Sequence, residues 1–152
     1  MNYYQLQMKE VNTMTNNDVK IIAFLCRKWG YGGADMAGTI RAQYPTSFRT
    51  VLVPCTGRIG SDLIMRSFGR GADGAIVVGW YPGECDYETG NYFAYRSVEY
   101  LKEVLKSIGI QPERLKMEFC SSAEGQKFQE VAKTFHEQIK KLGPSPLKEG
   151  SS

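Results

Sequence analysis

The four cysteines are the residues of this 152-residue sequence best suited to chemistry. Thiolates bind iron or zinc and exchange electrons as disulfides, whereas a protonated thiol packs as a small apolar side chain. Cys26, Cys55 and Cys120 each end an apolar run of strand length, and Cys85 lies in the turn "YPGECDY" after a fourth run. What these thiols can do depends on how the elements of the fold position them.

Few other residues suggest a site. The sequence has one histidine, His136, which falls outside the apolar stripe of a predicted helix and is expected to be solvated. Neither a Ser/His/Asp set nor a carboxylate pair supports a hydrolytic site, and no C-x-x-C pair supports disulfide exchange of that type. Arg58 and Asp62 could bind a ligand, but such residues more often cap helices or contact partners.

The loop "CRKWGYGGAD" after the first run is rich in glycine. Its backbone could approach a phosphate or a flavin, although it does not match the dinucleotide motif G-x-G-x-x-G. The simpler alternative is that Gly30, Gly32 and Gly33 permit a tight turn.

Four apolar runs alternate with amphipathic segments, which predicts four strands separated by helices. The strands are expected at 21–26, 48–55, 74–80 and 114–120, and the helices at 35–43, 61–69, 95–109 and from a Ser121/Glu124 capping box to residue 142. This alternation predicts an α/β fold with a single doubly wound, mainly parallel four-stranded sheet, flavodoxin-like or Rossmann-like.

In such a sheet all four cysteines lie at the carboxyl edge, where ligands bind. With the strand order 2-1-3-4, Cys55 and Cys120 fall on opposite sides of the sheet, roughly 14 Å apart. Cys26, Cys55 and Cys85 could converge if their loops bend inward, and Cys120 is the outlier. The ordinary alternative is that the cysteines are small buried side chains.

Composition limits the classes of protein to consider. A net charge of +3 with scattered basic residues does not predict a nucleic-acid partner. No apolar run is long enough to span a membrane, and the first residues lack a signal peptide, so we expect a cytoplasmic protein. We expect a flexible N-terminal segment at 1–19, an α/β domain at 20–143 and a flexible tail at 144–152.

Several segments together resemble the delta subunit of methyl-viologen-reducing (F420-non-reducing) hydrogenase. They are "CRKWGYGGADMAGTIRAQYP", "PCTGRI", "GADGAIVVGWYPGECDYETGNY" and "SSAEGQKF", in unbroken order across about residues 20–143. The resemblance implies a small [2Fe–2S] protein without a catalytic site of its own. Such a protein carries electrons in an anaerobic oxidoreductase complex, between hydrogenase or other dehydrogenase/reductase subunits and a flavin-containing heterodisulfide-reductase-A-like subunit.

The resemblance also assigns residues to the cluster. Cys26, Cys55 and Cys85 match family cysteines, whereas Gly30 and Trp80 stand where the family pattern has two more. Three of five pattern positions are therefore retained, and a [2Fe–2S] cluster normally needs four protein ligands.

Three functions follow from this pattern. The chain is an electron carrier that uses the three matched cysteines with Cys120 as the least certain fourth, or it is a cluster-free docking subunit. A flavin- or nucleotide-binding enzyme on the same fold is the third. Aromatic residues beside the cysteine loops would form a partner interface or simply cover the end of the core: Trp29, Tyr31, Trp80 and Tyr81.

Overall fold

A computed structural model describes residues 19–28, 45–85 and 88–149 of the chain. Four strands form one sheet: β1 (Ile21–Cys26), β2 (Phe48–Val53), β3 (Gly74–Gly79) and β4 (Leu115–Phe119). All neighbouring strands pair in parallel, in the order β2-β1-β3-β4. The predicted fold class and strand order are confirmed.

Helices follow β2, β3 and β4, in keeping with the crossovers of a parallel sheet. They are α1 (Ser61–Gly69), α2 (Gly90–Ser107), α3 (Gly125–Leu142) and the short α4 (Pro146–Glu149), and two 3-10 turns occur at Thr56–Arg58 and Pro112–Arg114. The helix predicted at 35–43 and the N-terminal segment 1–18 lie outside the described residues. Within the described ranges, no helix combines the length and apolar character needed to cross a membrane.

The two central strands are apolar on both faces because helices cover both faces. On one face, Phe24 of β1 and Val77 of β3 pack with Phe68 of α1 and Leu101 of α2. On the other face, side chains of β1 and β3 pack with one stripe of α3: Leu25, Ile76, Val78, Phe128, Phe135 and Ile139. The alternation of faces along each strand therefore divides the core into two layers.

Helix ends follow local chemistry. At the end of α2, Gly109 has a φ of 82°, and the Ile110 N–H donates to the Leu105 carbonyl at 2.9 Å, as in a Schellman cap. Before α3, the Ser121 N–H donates to the Glu124 carboxylate at 2.8 Å, which is one half of the predicted capping box. Helix α3 begins at Gly125, the residue after Glu124.

Ser145 and Lys148, in the predicted C-terminal tail, are hydrogen-bonded to a residue at the start of β3. Buried Asp73, just before β3, accepts hydrogen bonds from the Ser145 N–H at 2.9 Å and the Lys148 ammonium at 2.6 Å. The same carboxylate accepts the Lys20 N–H at 2.7 Å. One side chain thus joins the start of β1, the start of β3 and α4.

A second buried group holds the end of α3. The Arg114 guanidinium is fully buried and donates to the carbonyls of Leu142, Gly143 and Pro144 at 2.9–3.2 Å. It also donates to the Asp73 carbonyl at 3.0 Å. These bonds satisfy the carbonyls that a helix end leaves without intrahelical partners.

Candidate cysteine site

The sheet places all four cysteines at its carboxyl edge. Cys26 is the last residue of β1, Cys55 lies two residues beyond β2, and Cys120 directly follows β4. Cys85 lies in the loop between β3 and α2. Cys26, Cys55 and Cys120 are buried, and Cys85 is half-buried. Because β2 and β4 are the outer strands, Cys55 and Cys120 follow opposite edges of the sheet.

Cys55 and Cys85 meet at the N-terminal residue of α2. A side-chain carbon added to Gly90 would overlap the Cys55 Sγ and lie 3.5 Å from the Cys85 Sγ. The Gly57 N–H also donates to the Cys55 Sγ at 3.4 Å. A side-chain carbon on Gly57 would lie 2.8 Å from the Gly90 Cα, so two backbones cross closely beside the sulfurs. Glycine at both positions makes room for the pair of thiols.

The surroundings of Cys55 favour its protonated form. Burial is the main cause that raises its pKa above the ordinary value of a thiol, and the Gly57 N–H opposes it. The neighbouring thiol of Cys85 and, with a smaller effect, the thiol of Cys26 raise the pKa of Cys55 further. Two or three thiolates in one place repel each other, so a metal or a covalent bond would be needed to hold them deprotonated.

Cys120 belongs to the core rather than to this pair. It is 1% exposed and packs in the layer under α3. Its Sγ donates to the carbonyls of Ser121 at 3.4 Å and Glu124 at 3.6 Å, so the thiol keeps its proton. Burial, with a smaller effect of Glu124, raises the pKa of Cys120 to about 11. These contacts fit the ordinary alternative of a small buried side chain.

The described residues do not complete a cluster site. Among them, no three His, Cys, Asp or Glu side chains lie close enough together to hold a metal ion. A [2Fe–2S] cluster normally needs four ligands, whereas the geometry brings Cys55 and Cys85 together, with Cys26 within electrostatic reach of Cys55. Gly30, one of the two pattern positions that have no cysteine in this sequence, lies outside the described residues.

Two of the four predicted interface aromatics can be placed. Trp80 and Tyr81 lie directly after β3, both half-buried, with ring centroids 5.8 Å apart and an interplanar angle of 70°. This edge-to-face contact stabilises the start of the loop that carries Cys85. Trp29 and Tyr31 lie outside the described residues.

The sequence reasoning missed a polar contact beside the site. The Tyr81 hydroxyl donates to the Glu124 carboxylate at 2.9 Å and accepts from the Lys127 ammonium at 2.6 Å, and that ammonium lies 4.6 Å from the centre of the same ring. Hydrogen bonds lower the pKa of Glu124, the N–H of Ser121 first and the Tyr81 hydroxyl second. Lys127 is three residues beyond Glu124, so the sequence predicts that the two side chains share a helix face. This spacing gives no indication that both contact Tyr81.

A buried asparagine holds the same loop from the other side. Asn91, 1% exposed, donates its side-chain amide to the carbonyls of Trp80 at 3.0 Å and Tyr81 at 2.7 Å. These bonds explain why α2 begins at Gly90, five residues before the predicted start. Because asparagine is common at the start of a helix, the sequence alone does not indicate that Asn91 binds the preceding loop.

Other candidates have structural roles or open surroundings. His136, expected to be solvated, is half-buried, and its Nδ1 lies 2.8 Å from the Ser47 Oγ because the segment before β2 packs over α3. Asp62 and Arg66 form an exposed pair at 3.8 Å along α1. Arg58 is exposed at the end of a 3-10 turn. None of these residues adds a donor to the cysteine pair.

The four strands and the helices α1 to α3 lie within residues 21–143, which match a family model, that of the methyl-viologen-reducing hydrogenase, delta subunit. The chain belongs to this family. It is 48% identical over 128 residues to the vhu iron-sulfur subunit of the F420-non-reducing hydrogenase of Methanococcus maripaludis, and the match covers 84% of this chain and 96% of that protein. The corresponding vhu iron-sulfur subunit of Methanopyrus kandleri is 49% identical over 124 residues, 82% of this chain and 94% of that protein.

The delta-subunit domain is also similar to a part of a larger protein. The A component of the ferredoxin/F(420)H(2)-dependent CoB-CoM heterodisulfide reductase of Methanosarcina acetivorans is 35% identical over 138 residues. These residues are 91% of this chain and 17% of that component. A segment of the reductase A component is thus similar to nearly the whole of this delta-subunit chain.

Proposed function

We propose that this chain is an accessory electron-transfer subunit of a redox complex that joins hydrogenase-type subunits to a heterodisulfide-reductase-A-like flavoprotein. The observation that carries the proposal is the similarity, over more than four fifths of this chain and nearly all of each relative, to subunits named as iron–sulfur subunits of hydrogenases. We place this complex in the cytoplasm of an anaerobe and assign the chain no catalytic site of its own, because electron transfer needs no general acid or base.

The partner is inferred from the larger relative. The A component of a heterodisulfide reductase has a similar domain as part of one chain. A domain that is covalently part of one protein and separate in another often binds the same neighbour in both cases. We therefore propose a heterodisulfide-reductase-A-like chain, carrying the flavin, as the direct partner of this delta-subunit domain.

The proposal for a cofactor rests on fewer cysteines than the family pattern has. Cys26, Cys55 and Cys85 are the residues that would contribute ligands to a [2Fe–2S] cluster, which would supply one-electron transfer. The described residues do not bring a third ligand to Cys55 and Cys85, and Cys120 keeps its proton in the core. This observation favours a second candidate, a docking subunit that keeps its partner but holds no cluster.

Anaerobic purification separates the two candidates. The full chain would be expressed with a heterodisulfide-reductase-A-like chain from the same genome, isolated without oxygen, and analysed for iron, sulfide, flavin and stoichiometry. Copurification with about two irons per delta-type chain supports the electron carrier. Copurification without iron after anaerobic reconstitution supports the docking subunit, and failure of the two chains to bind contradicts both.

Matched variants locate any iron that is found. Replacing Cys55 or Cys85 by serine should abolish its thiolate-to-iron absorption, because serine is a poor ligand for such clusters. Cys120→Ala is the control and should keep both the iron content and the spectrum. Loss of iron in Cys120→Ala alone would show that the fourth strand, and not the Cys55–Cys85 pair, holds the metal.

A further inference from the structure

Two thiols lie together in the described part of the chain without a complete set of metal ligands around them. Gly90 has both sulfurs within 4 Å of the position that its side-chain carbon would occupy. A buried cysteine beside a more accessible one is also the arrangement of a dithiol that closes into a disulfide. The two thiols are therefore placed for thiol–disulfide chemistry, which needs no iron–sulfur cluster.

We propose that Cys55 and Cys85 form a reversible dithiol/disulfide pair in the cluster-free chain, reacting with disulfides by exchange. The position of both sulfurs around the space where Gly90 lacks a side chain supports this assignment, as does the difference in their exposure. The pair would let the chain store two electrons without iron. The inference goes beyond the proposed function, since it requires neither a bound cluster nor a partner subunit.

The loop geometry permits the bond to close. Cys85 follows an exposed turn of Pro82, Gly83 and Glu84, and Gly83 has a φ of 85° with no neighbouring atom within 4 Å of its side-chain position. Such a turn can shift without displacing core side chains. Cys55 is held by the 3-10 turn at Thr56–Arg58, so Cys85 is the thiol that moves toward it.

The exchange proceeds in two balanced steps. The half-buried Cys85 attacks glutathione disulfide, so that a Cys85–glutathione bond forms, the reagent's S–S bond breaks, and one glutathione leaves with the Cys85 proton. The Cys55 sulfur then attacks the Cys85 sulfur. The Cys55–Cys85 bond forms, the mixed disulfide breaks, and the second glutathione leaves with the Cys55 proton. Two electrons pass from the protein thiols to glutathione disulfide.

The test uses the full chain, freed of metal by a chelator and equilibrated in glutathione buffers of increasing oxidised fraction. Remaining thiols are alkylated, and the digested chain is analysed by mass spectrometry. We expect the free thiols to fall from four per chain to about two, with a linked peptide that contains Cys55 and Cys85. Return to reduced glutathione should restore all four thiols.

Two variants test whether Cys55 and Cys85 are the residues that form the disulfide. Cys55→Ser should stop at a stable mixed disulfide of Cys85 with glutathione, and Cys120→Ala should close the Cys55–Cys85 bond as the wild type does. A disulfide that joins Cys26 to either residue would overturn the assignment, and so would a wild-type chain that keeps four thiols or remains glutathionylated at Cys85. Because no iron or partner is present, none of these results decides the proposed function.

Discussion

The chemistry of a thiol in this chain depends on its immediate neighbours more than on its place in the strand pattern. Cys55 has another sulfur and a backbone N–H beside it, whereas Cys120 has two carbonyls and apolar side chains. The first set of neighbours suits a ligand or redox pair, and the second set suits a core residue. Cysteines at equivalent strand ends thus differ in the chemistry that their neighbours permit.

Gly90→Ala tests the space around the pair. The added methyl group overlaps the Cys55 Sγ, so we expect a loss of about 1 to 3 kcal/mol in the free energy of unfolding by urea, as for other overpacked sites. Gly69→Ala is the control because no atom lies within 4 Å of its added carbon. It should be neutral or slightly stabilising. Equal loss in both variants would contradict the packing described for Gly90.

The buried thiol of Cys120 should make stability fall at alkaline pH. Its folded pKa of about 11 lies above the 9.0 of an ordinary thiol, so the folded chain holds the proton more tightly than the unfolded chain. The stabilisation is complete below about pH 9 and is lost as the pH rises toward 11.

Cys120→Ala measures this effect. The free energy of unfolding of the wild type, minus that of Cys120→Ala, should fall by about 2 kcal/mol between about pH 8 and pH 11. The subtraction cancels lysines and tyrosines that titrate in both chains. A difference that stays constant with pH would show that Cys120 is not held protonated by burial.

At the scale of elements, the loop between β3 and α2 is held from two sides. Asn91 binds its backbone from α2, and Glu124 and Lys127 bind the Tyr81 hydroxyl from the α3 side. These contacts bring the carboxyl end of β3 close to both helices. They fix the first part of the loop and leave the turn before Cys85 exposed.

Tyr81→Phe tests this attachment. Loss of the hydroxyl removes the bridge between Glu124 and Lys127, so we expect a loss of about 1 kcal/mol in stability and faster alkylation of Cys85. Tyr95→Phe, on the exposed face of α2, is the matched control and should change neither quantity. Faster alkylation without a loss of stability would still assign Tyr81 to positioning the loop, whereas no change in either measurement would reject that role.

Most elements were predictable because each carries its own pattern. Runs of apolar residues predicted the four strands, and the helical stripe of α3 predicted its buried face. The start of α2 was not predictable, since a glycine followed by an asparagine favours a loop locally, and the contacts of Asn91 with the previous loop decide otherwise. The burial of Arg114 was missed for the same reason, because the carbonyls it binds lie about 30 residues away.

At the scale of the molecule, Asp73 connects segments that are distant in sequence. It is 1% exposed and accepts three hydrogen bonds, from residues 20, 145 and 148. A buried carboxylate with three donors costs little to bury as long as all of them remain. Asp73 therefore contributes strongly to the attachment of the C-terminal segment, together with the bonds of Arg114 to the carbonyls of Gly143 and Pro144.

Asp73→Ala should be strongly destabilising. Removal of the carboxylate leaves two backbone N–H groups and an ammonium without their acceptor, so we expect a loss of about 3 kcal/mol or more in chemical unfolding. Asp62→Ala, which removes an exposed carboxylate 3.8 Å from Arg66, should change stability by less than about 0.5 kcal/mol. A similar small effect at Asp73 would mean that the C-terminal segment is not held as described.

The sequence by itself determined the fold class, the family and the placement of the cysteines at one edge, because hydrophobic periodicity and motif order are local properties of the chain. Only the tertiary structure decided which cysteines meet. Cys55 and Cys85 are 30 residues apart in sequence, and their contact depends on the close crossing of Gly57 and Gly90. Cys120, the outlier in the predicted arrangement, follows the strand at the opposite edge of the sheet from Cys55, and its thiol is bonded within the core.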